Sequence, residues 1–227
     1  MSSLQGTFSP KWPKLKRMSL QINDHVLFFG DSITDCGRNR DALPGEAGGW
    51  GRGYVGQIAT NLREKFPEKN LLFTNKGISG NRVYDLEDRL ETEVLPLAPD
   101  IVTILIGIND VWRRYDSDLI SDPDDFEASY RRILERIAAS GAEMVLMEPF
   151  ALEVPPVQAH WRDDLDPKIE VVRALAVEFG TKLIPLDGLF RNAARSRDAK
   201  FWLPDGVHPS PEGHALIASA WMDAMNV

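Results

Sequence analysis

Apolar residues gather in five short blocks along the chain: HVLFF at 25–29, LLFTN at 71–75, IVTILI at 101–106, EMVLM at 143–147 and KLIPL at 182–186. Such near-continuous runs, without strict alternation, predict strands buried on both faces of a parallel sheet. Between the blocks the apolar period changes to three and four. Val55, Ile58, Ala59, Leu62 and Phe66 form one stripe, and Phe126, Tyr130, Ile133, Leu134 and Ile137 form another, each predicting a helix with one face on the sheet. Residues 167–179 and 211–225 read as two more helices, the second opened by Ser210 as N-cap and Pro211 in the first turn. This alternation predicts an α/β fold, a three-layer α/β/α sandwich around a five-stranded parallel sheet.

Residues 1–24 stand outside the alternation and carry Pro10 and Pro13, so they read as an N-terminal arm packed on a single domain of residues 25–227. Residues 36–50 and 148–166, rich in Gly, Pro and charge, form two long connections. Loops at the carboxyl ends of strands are where such sheets keep their sites. No repeat or linker calls for a second domain, and 227 residues at 43% hydrophobic content suffice for one full core.

A net charge of -8 disfavours nucleic acid and anionic membrane as partners, since either would repel the average surface. Lys11, Lys14, Lys16 and Arg17 are the nearest thing to a basic patch and read as a solvated tail or docking segment. Cys36 is the sole cysteine, which leaves no internal disulfide. No apolar run reaches the length of a membrane span, and the first residues lack a signal-peptide core; the expected location is cytoplasmic.

The chemistry concentrates after the strands. In HVLFFGDSITD, Ser32 falls where the first strand turns into a helix, exposed at the sheet edge beside backbone N–H groups. The same serine stands at capping-box spacing from Asp35, which would make it only a helix cap. In FWLPDGVHPSPEGH, Asp205 and His208 are close enough for a carboxylate to orient an imidazole, or they belong to a surface turn. Gly80 in NKGISGN and Asn109 in IGIND follow the second and third strands; each is either a hydrogen-bond donor to a developing oxyanion or an ordinary turn former.

GDSITD, GISGN, GIND and DGVHPS together resemble, in order, the motif blocks of the SGNH hydrolases, also called GDSL-type esterases and lipases. The resemblance implies a flavodoxin-like SGNH hydrolase fold, Ser32 as nucleophile with Asp205 and His208 completing a triad, and an oxyanion hole of Ser32 N–H, Gly80 N–H and the Asn109 amide. The longer strings GDSITDCGR, NKGISGN and GINDVWRRYD are most similar to intracellular carbohydrate acetyl esterases. The implied reaction is removal of O-acetyl groups from an acetylated oligosaccharide, with no cofactor. A short-chain carboxylesterase or thioesterase would use the same residues on another leaving group, and a carbohydrate-binding protein would keep the fold without the chemistry.

Other residues are candidates for supporting parts. Asp31 and Asp110 read as hydrogen-bond anchors of their loops, with Asp31 also beside the substrate. Trp50, Trp112, Tyr115, Trp161 and Trp202 fall in or near expected loops, where flat amphipathic rings suit a sugar face, and Arg52 is placed near the cleft with Trp50. Gly51, Gly53 and Gly56 satisfy G-x-G-x-x-G but stand too far from the first strand for a dinucleotide site. Four histidines without H-x-x-x-H spacing and one cysteine predict no metal centre. Cys36 reads as a small packing residue because no histidine neighbours it in sequence. Arg113 and Arg114 read as solvated or intersubunit charges, and the arm and loop aromatics allow a homo-oligomer.

Overall fold

The five apolar blocks become five strands, β1 (His25–Gly30), β2 (Leu72–Gly77), β3 (Ile101–Leu105), β4 (Glu143–Met147) and β5 (Lys182–Ile184), in a computed structural model that describes residues 19–155, 157 and 159–227. All pair in parallel, in the order β2-β1-β3-β4-β5. The pleat sorts each run onto two faces. Val26 and Phe28 join Phe73, Ile101, Leu105, Val145, Met147 and Ile184 in one core, while Leu27 and Phe29 join Val102, Ile104, Met144 and Leu146 in the other.

Helices cover both faces. The first core is closed by α2 (Tyr54–Lys65) and α9 (Pro211–Met225), the second by α3 (Val83–Glu93), α5 (Pro123–Ser140) and the end of α6 (Arg162–Phe179). Four further helices lie along the carboxyl edge or beside it: α1 (Ser32–Asp35), α4 (Ile108–Ser117), α7 (Leu186–Ala193) and α8 (Ala199–Trp202). Local chemistry sets the helix ends. Asp122 caps α5 by accepting from the Asp124 N–H with Pro123 at its first position, Gly141 ends it in the left-handed region, and the Ser210 hydroxyl accepts from the Gly213 N–H to open α9. In the middle of the sheet, fully buried Trp221 of α9 donates its indole N–H to Thr103 Oγ1 at 2.9 Å, satisfying two polar groups inside the core.

Three expectations shift. Helix α6 begins at Arg162, upstream of 167, because Pro167 lies inside the helix instead of opening it. The segment IGIND is not a loop throughout, since Ile108, Asn109 and Asp110 form the first turn of α4, which also carries Trp112 and Tyr115. The block at 182–186 gives a strand of three residues, ended by Pro185. Of the arm, residues 19–24 are described. Leu20 is buried in the first core, the Asn23 N–H donates to Lys69 O at 2.7 Å, and Lys69 Nζ donates to Leu20 O at 2.8 Å. The expectations for Pro10, Lys11, Pro13, Lys14, Lys16 and Arg17 lie outside the described residues. Among the described residues no helix is long and apolar enough to cross a membrane.

Candidate active site

Strand order turns back on itself at β1, which has β2 on one side and β3 on the other. Crevices at such a point, outside the carboxyl ends of the strands, are where open α/β sheets bind ligands. The GDS turn sits there. A Cβ on Gly30 would lie 2.4 Å from Thr34 Oγ1 and 2.5 Å from Leu105 O, so only glycine lets β1 pass straight into α1 against β3. The cap of α1 is Asp31, whose Oδ1 accepts from the Ile33 N–H at 3.0 Å.

With the cap made by Asp31, the Ser32 hydroxyl is free for another partner. Its Oγ stands 2.9 Å from His208 Nε2, across 176 positions of sequence. The other ring nitrogen, His208 Nδ1, lies 2.7 Å from Asp205 Oδ2. Asp205 Oδ1 accepts from the backbone N–H groups of Val207 at 3.0 Å and His208 at 2.7 Å, which fixes the carboxylate in the loop between α8 and α9. An Nδ1–H donated to Asp205 leaves Nε2 as the acceptor for the serine proton, the tautomer a general base needs.

The charges agree with this arrangement. Burial pulls the Asp205 carboxyl upward, but bonds from the His208 ring, the His208 N–H and the Val207 N–H outweigh it and hold the group down at about 2. The bond to Asp205 raises His208 above its ordinary value against the pull of burial, with the charges of Asp205 and Asp31 adding to the rise. Asp31 is fully buried and its Oδ2 has no hydrogen-bond partner among the described residues. Burial pushes its carboxyl up to about 7, opposed by the Ile33 bond and His208 and assisted by Asp110.

Gly80 and Asn109 follow β2 and β3, the two neighbours of β1, at the same edge of the sheet. Gly80 has φ +86° and nothing within 4 Å of the place a Cβ would take. Asn109 is 3% exposed, and its Nδ2 donates to Asn81 O at 3.0 Å, which leaves the amide a second N–H. The neighbouring Asp110 accepts from the Val83 N–H at 3.2 Å and from the Ser121 hydroxyl at 3.3 Å, tying the start of α4 to the start of α3. The chain segments after β2 and β3 are therefore bonded directly to one another.

The aromatic candidates divide. Trp112 is half-buried with its ring 5.8 Å from that of His208 and 5.6 Å from that of Trp161. Tyr115 stacks on Trp161 at 5.0 Å and gives its hydroxyl to His160 O and Asp164, so one of its faces is taken. Trp202 is half-buried, edge-on to Phe201 at 5.0 Å, and its buried indole N–H has no partner among the described residues. Trp50 does not face the crevice: it is 6% exposed in the first core, packs edge-on to Phe73 and donates its N–H to Phe73 O at 3.2 Å. Asp31 likewise has no surface to offer a substrate. Arg52 is exposed at the end of α1, where its guanidinium lies against Gly37 and its backbone N–H donates to Cys36 O. Arg113 pairs with Asp116 and Arg114 with Asp164.

The fold also joins residues that sequence distance hides. His214 Nε2 lies 3.3 Å from Cys36 Sγ, so the cysteine does have a histidine neighbour, supplied by α9. The Tyr54 N–H donates to His214 Nδ1 at 3.2 Å, which places the proton of a neutral ring on Nε2, facing sulfur. Burial pushes His214 down to about 4 and the Cys36 thiol up, so the pair stays uncharged near neutrality. The signal was the stripe Gly213, His214, Ile217, Ala218 and Trp221 on the buried face of α9. A Cβ on Gly53 would touch Cys36 and His214 at 2.8 Å, which gives part of the glycine-rich GRGYVG a packing reason. No group of three or more metal-ligating side chains occurs among the described residues.

The model of the GDSL-like Lipase/Acylhydrolase family matches residues 28–216. An acetylxylan esterase from Geobacillus stearothermophilus is 36% identical over 209 residues, covering 90% of this chain and 95% of that protein. The crystal structure of Axe2, an acetylxylan esterase of the same organism, superposes with a TM-score of 0.84 at 34% identity, over 92% of this chain and 97% of that one. Its solved catalytic mutants replace a serine, an aspartate and a histidine, with the aspartate three positions before the histidine, the spacing of Asp205 and His208 here. A structure from Parabacteroides merdae, a GDSL-like lipase candidate, superposes with a TM-score of 0.89 at 34% identity, over 92% of this chain and 99% of that one. With its motif blocks, its sheet order and its paired serine and histidine, the chain belongs to the GDSL-like lipase/acylhydrolase family.

Proposed function

We propose that this protein is a serine esterase that removes acetyl groups from carbohydrate, with acetylated xylo-oligosaccharides as the substrate class. The observation that carries the chemistry is the unbroken chain from Ser32 Oγ through His208 to Asp205, at 2.9 and 2.7 Å. His208 Nε2 takes the hydroxyl proton as Ser32 Oγ attacks the ester carbonyl carbon. The resulting oxyanion receives hydrogen bonds from the N–H groups of Ser32 and Gly80 and from the free N–H of Asn109, an arrangement that favours the tetrahedral state over the flat ester. His208 then protonates the departing sugar oxygen. Water attacks the acetyl-serine with the same histidine as base, and acetate leaves.

Two observations support the carbohydrate part of this reading: the Geobacillus stearothermophilus relatives named above are acetylxylan esterases, and Trp112 sets an amphipathic ring beside His208. The test is acetate release from acetylated xylo-oligosaccharides by the wild type and by Ser32→Ala, with 4-nitrophenyl esters from acetyl to octanoyl in parallel. The wild type releases acetate, S32A loses about 10⁴-fold or more in kcat with its melting temperature intact, and rates fall as the acyl chain lengthens. Cleavage of nitrophenyl esters alone removes the sugar substrate. Undiminished turnover in S32A removes the mechanism.

A further inference from the structure

Arg89 is the one guanidinium among the described residues that reaches the carboxyl ends of both β1 and β2. It projects from α3 toward the sheet, its side chain is 10% exposed, and its guanidinium carbon lies 4.5 Å from the centre of the Phe29 ring. Nη2 donates to Gly30 O at 3.1 Å and to Lys76 O at 2.7 Å. Nε donates to Asn81 Oδ1 at 2.8 Å, and Nη1 reaches Glu93 at 3.1 Å. Asn81 in turn accepts from Asn109 Nδ2 on its backbone oxygen.

These bonds meet the three proposed oxyanion donors one step behind the crevice. Gly30 lies two positions before Ser32, Asn81 directly follows Gly80, and the Asn81 carbonyl holds Asn109. An ion pair with Glu93, itself 34% exposed, does not account for burying the charge, because a half-open pair is worth only about 1 kcal/mol or less. A planar fork with donors in fixed directions does account for it, since it sets the spacing of three separate acceptors at once. We infer that Arg89 is a positioning residue that holds the oxyanion donors of Ser32, Gly80 and Asn109 in register through Gly30 and Asn81. The inference rests on the esterase reading above.

Arg89→Lys keeps the charge and the contact with Phe29 but loses the fork. Asn81→Ala removes one arm of the network and leaves Arg89 in place, so it serves if R89K does not fold. Each is measured for kcat and KM on an acetyl ester and for melting temperature, alone and combined with Asn109→Ala. Loss of a single oxyanion donor costs about 10²–10³ in kcat, and misplacing donors costs part of that. R89K and N81A are therefore expected to lower kcat about 10- to 100-fold with KM changed less than about twofold, and to lower it by a clearly smaller factor when Asn109 is already alanine. A folded R89K and a folded N81A with wild-type kcat overturn the inference. So does a loss that adds in full to that of N109A, a result that leaves the esterase reading standing. A wild type that hydrolyses no ester overturns the esterase reading and this inference with it, whereas an N109A without effect overturns this inference alone.

Discussion

His208 is held between two carboxyl groups of opposite character. Asp205, bonded to Nδ1 and fed by two backbone N–H groups, is held at about 2 and is charged at any working pH. Asp31, buried behind Ser32, is pushed up to about 7. Because Asp205 stabilises the imidazolium, His208 keeps its proton to higher pH than an ordinary histidine at 6.5, and only the neutral ring accepts from Ser32. The rate, as kcat/KM against pH, should therefore fall on the acid side with a midpoint above 6.5. Asp205→Asn should lower that midpoint and cost about 10⁴ in kcat, because an amide that presents its NH₂ group to Nδ1 favours the wrong tautomer. A midpoint that stays in place in D205N would detach the histidine from this carboxylate. At this scale Ser32, Asp205 and His208 were legible because each stands in a short string bounded by Gly or Pro. The burial of Trp50 was not, since it is decided by contact with Phe73 on a distant strand.

The elements that carry the site were less legible than the residues. The stripes of α2, α5 and α9 are apolar and declare themselves, whereas α3 spends one of its buried positions on Arg89 and α4 opens with buried Asn109 and Asp110. A periodicity of apolar residues passes over helices whose inner face carries polar residues, as these two do. Two turns between elements separate folding from function in a measurable way. At Gly30 an added methyl meets Thr34 Oγ1 and the Leu105 carbonyl at 2.4 and 2.5 Å, and the second of these is backbone with little room to move. Gly30→Ala is expected to destabilise the protein by roughly 3 kcal/mol, about a 6–12 °C fall in melting temperature for a chain of this size. At Gly80 the methyl meets nothing, but φ +86° is costly for any L side chain. Gly80→Ala should cost about 1–2 kcal/mol of stability or relax the turn, and in either case kcat should drop about tenfold or more as the N–H leaves its aim. Thermal melts beside steady-state rates separate the two: G30A should show its defect mainly in the melt and G80A mainly in kcat.

Across the whole molecule, the sheet order follows from five buried strands linked by helices, and the bonds inside the second core explain a cost that composition does not reveal. Lys168 is buried, donates to Ser121 O at 2.9 Å, and has Asp110 as the countercharge acting on it most strongly. Burial nevertheless pushes Asp110 up to about 7, against the attraction of Lys168 and the bonds from Val83 and Ser121. Below pH about 4 the carboxyl holds its proton in folded and unfolded chains alike, and stability does not depend on it. Between there and pH 7 the unfolded chain releases the proton while the folded chain retains it, so rising pH favours unfolding until about 7 and then levels off. Asp31 pulls in the same direction, while His214, pushed down to about 4, pulls the other way over the same window. Asp110→Asn isolates one of these contributions: the amide oxygen accepts from the Val83 N–H, Lys168 keeps its carbonyl partner at Ser121, and the titration is gone. The unfolding free energy of D110N relative to the wild type should rise steadily from pH 4 to pH 7, by an upper limit of roughly 4 kcal/mol. Urea unfolding at a series of pH values measures that difference. Curves that stay parallel across the window would mean that Asp110 is ionised in the folded protein and that Lys168 is its full ion-pair partner.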